Sequence, residues 1–173
     1  MSIQTPPTTS GSTFIRGHNL GGWLVLEKWM DGDAFTGSFS NAVNQWTFDS
    51  IPGVEEALMS HWSTYFTEYD INTIAATGIN ALRIPIGFWA YDNSGTPYIQ
   101  GADAFLQRAI GWAKAASMKV WVDLHGAPGS QNGFDNSGHA GPVEWQQPDN
   151  LSAPLPFSKP WLLNTALLSM LTQ

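Results

Sequence analysis

The sequence predicts an α/β fold with a parallel sheet, of the β/α-barrel type. Three observations support this fold class. Strand-like and helical segments alternate along the chain, and the strand-like segments are apolar almost throughout, as in strands that are covered on both faces. In addition, "GINALRIPI" and "MKVWVDL" carry polar groups towards their C-terminal ends. In β/α barrels this end of the sheet carries the active site.

The first strand is expected in residues 13–29, "TFIRGHNLGGWLVLEKW", and it ends in a glycine-rich turn. Residues 33–53 are polar and rich in Gly and Ser, which predicts a long surface loop. Apolar residues at spacings of three and four then predict a helix in residues 54–78. Within that segment, the signals for a second helix cap and for a helix end are Thr67, Asp70 and Gly78.

A second strand is expected in residues 79–89, a helix in residues 102–117 and a third strand in residues 118–124. The glycine-punctuated loop "DLHGAPGSQNGFDNSGH" follows. We expect the third strand to aim Asp123 and His125 at the top of the barrel. The loop would then present four further polar side chains to a ligand, namely Gln131, Asn132, Asp135 and Asn136.

Composition excludes several classes of partner. The chain has 173 residues, enough for one domain with a sizeable core, and its net charge is -7. An acidic protein is a poor match for nucleic acid or for an anionic membrane surface. No apolar run reaches the roughly 20 residues of a membrane span, and the N-terminus does not read as a signal peptide. Cysteine is absent, which excludes disulfides and thiolate metal sites.

Three motifs occur in a specific order, "RGHNLGGWLVLEKW", "GINALRIPIGFW" and "KVWVDLHGAPGSQNGFDNSG". On the basis of these motifs, residues 13–150 resemble the N-terminal part of the fungal exo-β-1,3-glucanases (glucan 1,3-β-glucosidases) of glycoside hydrolase family 5. The resemblance implies a (β/α)₈ barrel, of which about three βα units are present. It also implies retaining hydrolysis by two Glu residues, without a metal or cofactor, on β-1,3-glucan or a glucoside.

The resemblance also implies roles for individual residues. Arg83 and His125 would support the catalytic network, the first beside the nucleophile and the second on the floor of the sugar site. Glu27 would accept hydrogen bonds from hydroxyls of the terminal glucose. Three further residues would line or close the pocket, Trp29, Asp135 and Asn136. Lys28 occupies a position where proline is common in the family.

The catalytic carboxylates of the family are not expected in this chain. The acid/base Glu of the family lies in an Asn-Glu-Pro motif, and this sequence has no Asn-Glu pair. The nucleophile would lie further on still. We therefore expect a truncated or mis-spliced gene model, or a naturally cut product. The chain itself is expected to be inactive alone, marginally stable and prone to aggregate through its open sheet edges. Residues 1–12 are predicted to be a disordered tail and 151–173 a divergent tail, with a helix from Trp161 onward.

Several residues also have plainer interpretations. His125 is a structural histidine if the resemblance is ignored, and Asp123 is expected to bond backbone groups below the pocket. A zinc or iron site formed by Asp123, His125, Asp135 and His139 is a disfavoured alternative, because the loop composition fits sugar recognition better. Among the nine Trp residues, Trp62, Trp112 and Trp121 are predicted to be core, while Trp29 and Trp89 are the candidate sugar platforms.

Three functions therefore compete. The chain represents part of a β-1,3-glucan hydrolase, or a glucan-binding remnant without chemistry, or an unstable translation product. The family implies a monomer if the barrel is complete. It also implies an extracellular or cell-wall location, although no export signal is visible in the sequence.

Overall fold

The structure is a computed structural model and describes residues 14–152. It contains three strands, β1 (Gly17–Asn19), β2 (Ala81–Gly87) and β3 (Lys119–Gly126). The α-helices are α1 (Gln45–Asp49), α2 (Val54–Thr64), α3 (Glu68–Ala76), α4 (Ala102–Ala115) and α5 (Pro148–Leu151). Short 3-10 helices span Gly37–Phe39, Phe88–Ala90 and Asp135–Ser137. The predicted N-terminal tail, the helix from Trp161 and all but two residues of the predicted C-terminal tail lie outside the described residues.

The strands form one parallel sheet in the order β1-β2-β3. Its register aligns Asn19 with Arg83 and Arg83 with Trp121. The alternation of parallel strands and helices confirms the predicted α/β class. The third strand is longer than predicted, because it continues through His125 to Gly126. His125 therefore belongs to the strand rather than to the loop after it.

The two faces of the sheet differ in chemistry. Leu82, Ile84 and Ile86 alternate along β2 and are completely buried in the main apolar core. α4 contributes Phe105 and Leu106 to the same core. Side chains alternate between the faces of a strand, so Arg83 lies on the opposite face. The polar candidates of β2 and β3 are thus kept apart from the apolar core.

The helix boundaries follow local signals. Thr67 precedes α3, and its backbone N–H and hydroxyl donate to Asp70 Oδ2 at 2.8 and 2.6 Å. α3 ends at Ala76, and Gly78 follows with a φ of +89°, a conformation that glycine adopts readily. These contacts confirm the predicted cap and terminator. None of the helices within residues 14–152 is long and apolar enough to cross a membrane.

Residues 33–53 are not the surface loop that their composition predicts. They contain a 3-10 helix and α1, and Phe35, Ala42 and Phe48 are buried in the core. Phe39 stacks on Phe48 with ring centroids 4.7 Å apart. The prediction was wrong because Gly and Ser dominate the composition, whereas three phenylalanines spaced along the segment supply enough apolar surface to anchor it.

Two of the tryptophan predictions are wrong. Trp89 was expected to be a sugar platform, but it is fully buried and stacks on Tyr98 with ring centroids 4.0 Å apart. Trp121 was expected in the core, but 43% of it is exposed, because it lies on the polar face of β3. Trp62 is buried as predicted and Trp112 packs half-buried against the core.

Candidate active site

The segment after β1 carries Glu27 to the edge of the sheet where the strands end. Glu27 is buried, with 6% of its surface exposed, although it is an acidic residue. Its carbonyl accepts from Met30 N at 2.7 Å and from Asp31 N at 2.8 Å, which closes a tight turn. A buried carboxylate needs hydrogen-bond partners. One partner is Trp29, whose indole Nε1–H donates to Glu27 Oε2 at 3.1 Å.

Arg83 connects all three strands of the sheet. Its Nη1 donates to Asn19 Oδ1 on β1 at 2.6 Å, and its Nη2 donates to Asp123 Oδ2 on β3 at 2.6 Å. The ion pair with Asp123 explains how an arginine is accommodated in an otherwise apolar strand. The planar guanidinium suits this double contact, because its nitrogens point in fixed, divergent directions.

Asp123 binds side chains rather than the backbone groups that the sequence suggested. Its Oδ2 lies 2.9 Å from His125 Nδ1 and 2.6 Å from Arg83 Nη2. The hydrogen bond with His125, together with the positive charge of Arg83, lowers the pKa of Asp123 below its usual value. The carboxylate is therefore ionised at neutral pH and orients the imidazole ring.

His125 lies between two carboxylates. Its Nδ1 faces Asp123, and its Nε2 lies 3.9 Å from Glu27 Oε1. Arg83 Nη2 is also 3.2 Å from Nδ1, but the nearer anionic Asp123 favours a hydrogen on Nδ1. The distance of 3.9 Å to Glu27 is too long for a direct hydrogen bond. Both Nε2 and Oε1 thus remain able to contact a ligand hydroxyl.

Trp29 stands at the rim of this cluster. It is 73% exposed, while its indole nitrogen is held by Glu27. The neighbouring Lys28 points away from Glu27: its Nζ donates to the carbonyls of Ser40 and Ala42 and lies 5.5 Å from the ring centroid of Phe35. A fixed, exposed indole beside an acceptor is the arrangement that suits stacking on an amphipathic ligand.

The loop after β3 is held by its own side chains. Gln131 Nε2 donates to the carbonyl of His125, and Gln131 Oε1 accepts from Ala127 N at 3.0 Å. Asn132 Nδ2 donates to Asn136 Oδ1 at 2.9 Å. These bonds attach the loop to the end of β3 directly beside His125. The expected ligand contacts of Gln131 and Asn132 stay a prediction.

Asp135 and Asn136 lie apart from the cluster of Glu27 and His125. Asp135 is exposed, and its Oδ1 accepts from Asn136 N at 3.0 Å. In the part of the chain that the structure describes, neither side chain hydrogen-bonds to Glu27 or His125. Their pocket-closing role therefore remains a prediction.

The alternative of a metal site is not supported by the geometry. His139 stacks on Trp46 with ring centroids 4.4 Å apart, and Asp135 bonds within its own loop. Across residues 14–152, no group of three or more His, Asp or Glu side chains is arranged to hold an ion. Asp123 and His125 instead bind each other and Arg83.

Residues 40–152 match the family model described as Cellulase (glycosyl hydrolase family 5). That match covers more than half of the chain. The chain belongs to glycosyl hydrolase family 5. Strand ends that converge on a carboxylate and an imidazole are the expected location of a family 5 active site.

Curated relatives within family 5 are similar over most of this chain. It is 49% identical over 156 residues to the probable glucan 1,3-beta-glucosidase A of Aspergillus clavatus. This alignment covers 88% of this chain and 38% of that protein. It is 49% identical over 148 residues to glucan 1,3-beta-glucosidase 1 of Schizosaccharomyces pombe, covering 82% and 36% respectively. The chain thus spans less than two fifths of the length of these relatives.

A solved structure supports the family 5 fold. The rutinosidase from Aspergillus niger is 29% identical, with a TM-score of 0.73, and the match covers 79% of this chain and 40% of that one. Together with the family match, this confirms the predicted fold class. The described residues supply three parallel strands and their helices as part of a β/α barrel.

Some residues of the candidate site were missed by the sequence interpretation. Asn19 binds Arg83, and Asp31 accepts from Glu27 N at 2.8 Å. Gln45 accepts from Leu26 N at 2.6 Å. The polar end of the first strand, "GHN", was a signal for Asn19. Asp31 and Gln45 had no such signal, because they bind the backbone of a segment without regular secondary structure.

Proposed function

We propose that this chain is the part of a family 5 glucan 1,3-β-glucosidase that recognises the terminal glucose of β-1,3-glucan. The observation that carries the proposal is the pair formed by Glu27 and His125, whose Oε1 and Nε2 atoms lie 3.9 Å apart with both side chains largely buried. The names of the relatives support the choice of sugar and linkage.

The proposed recognition uses two acceptors of different character. Glu27 is a carboxylate, and it accepts hydrogen bonds from two neighbouring sugar hydroxyls more strongly than a neutral group does. His125 Nε2 faces the same space, because Asp123 holds the Nδ1 side of the ring. One sugar hydroxyl donates to Oε1, and a neighbouring hydroxyl donates to Nε2. Arg83 contributes indirectly, since it keeps Asp123 ionised and in place.

Three further residues complete the proposed pocket. Trp29 offers an exposed indole face on which an apolar sugar face stacks. Asp135 and Asn136 contribute from the loop after β3, which is tied to the carbonyl of His125 through Gln131. In this proposal their polar atoms contact a bound glucose.

The chemistry proposed for the whole protein is retaining hydrolysis from the non-reducing end, as the family resemblance implies. That reaction requires two carboxylates about 5 Å apart across the scissile bond. The present sequence contains no Asn-Glu pair, and we propose that these 173 residues bind but do not hydrolyse glucan by themselves. We also propose an extracellular or cell-wall setting and a monomeric complete barrel.

Binding of laminaribiose to the purified chain tests this proposal. Isothermal titration calorimetry should detect binding to the wild type and a loss of at least about tenfold in affinity for Glu27→Gln, because a charged acceptor is removed. Glu68→Gln is the matched control, since Glu68 is exposed in the first turn of α3. Equal affinity of both variants would contradict the assignment of Glu27.

Turnover distinguishes the binding function from the full enzymatic one. Release of glucose from laminarin should be absent for this chain. Turnover of about 1 per second or more, which is typical of enzymes, would contradict the proposed division between binding and chemistry. A cooperative melt in circular dichroism separates both functions from an unstable product, which gives no such transition.

A further inference from the structure

The segment that carries Glu27 is buried but lacks helix or strand structure. Residues 20–27 run from the end of β1 through turns and bends, and all of them are buried. Buried backbone N–H groups outside regular structure need side-chain acceptors. Here Leu26 N–H donates to Gln45 Oε1 at 2.6 Å, and Glu27 N–H donates to Asp31 Oδ2 at 2.8 Å.

Gln45 is fixed from the other side. Its Nε2 donates to Asp49 Oδ1 at 2.7 Å, and Asp49 Oδ2 accepts from Ile99 N at 3.0 Å. Gln45 and Asp49 are both buried. The contacts form a continuous connection from the loop after β2, through α1, to the residue that precedes Glu27.

Asp31 is fixed by close packing against a glycine. A Cβ atom added to Gly22 would lie 2.5 Å from Asp31 Oδ1, and Gly22 has a φ of +72°. His61 Nε2 lies 2.8 Å from the Gly22 carbonyl and holds this turn in place. Asp31 N–H also donates to the Glu27 carbonyl at 2.8 Å, so Asp31 bonds both the N–H and the C=O of Glu27.

We propose that Asp31 and Gln45, the latter held by Asp49, are positioning residues that set the place of the Glu27 carboxylate in the sugar site. The role of the carboxylate as the sugar acceptor rests on the function proposed above, whereas the positioning itself does not. None of the three side chains contacts the ligand in this scheme. Gln45 and Asp31 act because they fix the backbone N–H groups of Leu26 and Glu27, and Asp49 acts through Gln45.

The indole N–H of Trp29 reports on the position of Glu27 without any ligand. It donates to Glu27 Oε2 at 3.1 Å, so its ¹H–¹⁵N resonance depends on where that carboxylate lies. Glu27→Gln should move this resonance and thereby assign it. Asp31→Ala and Gln45→Met should each move it as well, while Asp31→Asn, which keeps an oxygen acceptor, should move it less. Asp33→Asn, an exposed change in the same loop, is the matched control.

Two further readouts keep the proposal falsifiable. Affinity for laminaribiose should fall about tenfold in Asp31→Ala and Gln45→Met, as expected when a buried hydrogen bond that positions an acceptor is lost. In the wild type, the amide hydrogens of Leu26 and Glu27 should exchange slowly with solvent. This measurement needs no variant, so it decides the question even where a substitution unfolds the chain.

The outcomes separate the two proposals. A Trp29 resonance that moves in Asp31→Ala and Gln45→Met supports the positioning role, even if the wild type binds no laminaribiose and the proposed function fails. The positioning role is overturned if Glu27→Gln moves the resonance while both other variants leave it in place. Rapid exchange of the Leu26 and Glu27 amides in the folded wild type would overturn it as well.

Discussion

Arg83 Nη2 lies 2.6 Å from Asp123 Oδ2, across two neighbouring parallel strands. The same guanidinium reaches Asn19 Oδ1 on β1 at 2.6 Å. One side chain therefore ties together β1, β2 and β3. Because the candidate site is built on these strands, the contacts of Arg83 determine how rigidly Asp123 and His125 are held.

Arg83→Lys should destabilise the fold although it keeps the charge. A single ammonium cannot reach Asn19 and Asp123 in two fixed directions, so one hydrogen bond is lost. The free energy of unfolding should fall by about 1 kcal/mol, measured by urea denaturation at neutral pH. Arg108→Lys on the exposed side of α4 is the control and should stay within about 0.5 kcal/mol of the wild type. Equal stability of both variants would show that the double contact does not matter.

Asp49 should make stability depend on pH. Burial raises the pKa of Asp49 from 3.8 to about 7, against the opposing hydrogen bonds from Ile99 N and Gln45. Burial raises the pKa of Tyr98, and the charge of Asp49 raises it further. A carboxyl whose pKa is raised in the folded state stabilises the fold fully below its unfolded pKa. That contribution is lost as pH rises through the folded pKa.

The measurement compares Asp49→Asn with the wild type in urea denaturation between pH 4 and pH 7, the interval between the two pKa values. The wild type should lose stability relative to the variant as pH rises, because the amide does not ionise. A stability difference between them that stays constant over this interval would contradict the raised pKa. Asp33→Asn, at an exposed position, should follow the wild type throughout.

Gly126→Ala should be strongly destabilising. A Cβ at Gly126 would lie 2.3 Å from Trp89 Cζ3, in a ring that is buried and stacked on Tyr98. Since the ring has no free space, we expect a loss of about 1–3 kcal/mol in the free energy of unfolding.

Gly111→Ala in α4 is the matched control for that substitution. Its added Cβ meets no atom within 4 Å, and alanine favours the helix over glycine by about 0.5–1 kcal/mol. The two glycines should therefore give opposite signs in thermal denaturation. A Gly126→Ala variant as stable as the wild type would show that Trp89 has room to move.

Asp70→Ala should remove the cap of α3. Asp70 Oδ2 accepts from the N–H and the hydroxyl of Thr67, so the expected loss in stability is about 1 kcal/mol. The hydrogen bonds from Thr67 lower the pKa of Asp70, and the contribution is lost as pH falls through that lowered pKa. Asn72→Ala on the same helix should not destabilise. If Asn72→Ala costs as much as Asp70→Ala, the capping interpretation fails.

Local signals in the sequence were sufficient for most elements. The cap formed by Thr67 and Asp70 and the terminator Gly78 depend on interactions within a few residues, and β2 shows as a continuous apolar run. Such local interactions can be recognised from neighbouring residues in the sequence. The prediction of a surface loop in residues 33–53 was wrong because the structure of this segment depends on distant partners. Phe35 and Phe48 pack into a core that the local composition does not reveal.

The candidate site was predicted in part. Glu27, Arg83 and His125 were expected there and lie within one cluster, whereas Asp135 and Asn136 bond inside their own loop. Asp123 was assigned to the backbone because a sequence does not show which side chains face each other across strands. The same reason explains why Trp89, which follows a strand directly, is buried against Tyr98 instead of exposed.

The sequence alone determined the α/β class, the order of the strands and main helices, and the family, because hydrophobic periodicity and motifs are patterns of residues along the chain. The tertiary structure decided which polar groups meet. The contacts of Arg83 with Asn19 and Asp123 span 64 and 40 residues, and the support of Glu27 by Asp31 and Gln45 depends on an irregular buried segment. Such contacts are set by the register of parallel strands and by the need to satisfy buried backbone groups, and both are properties of the folded chain.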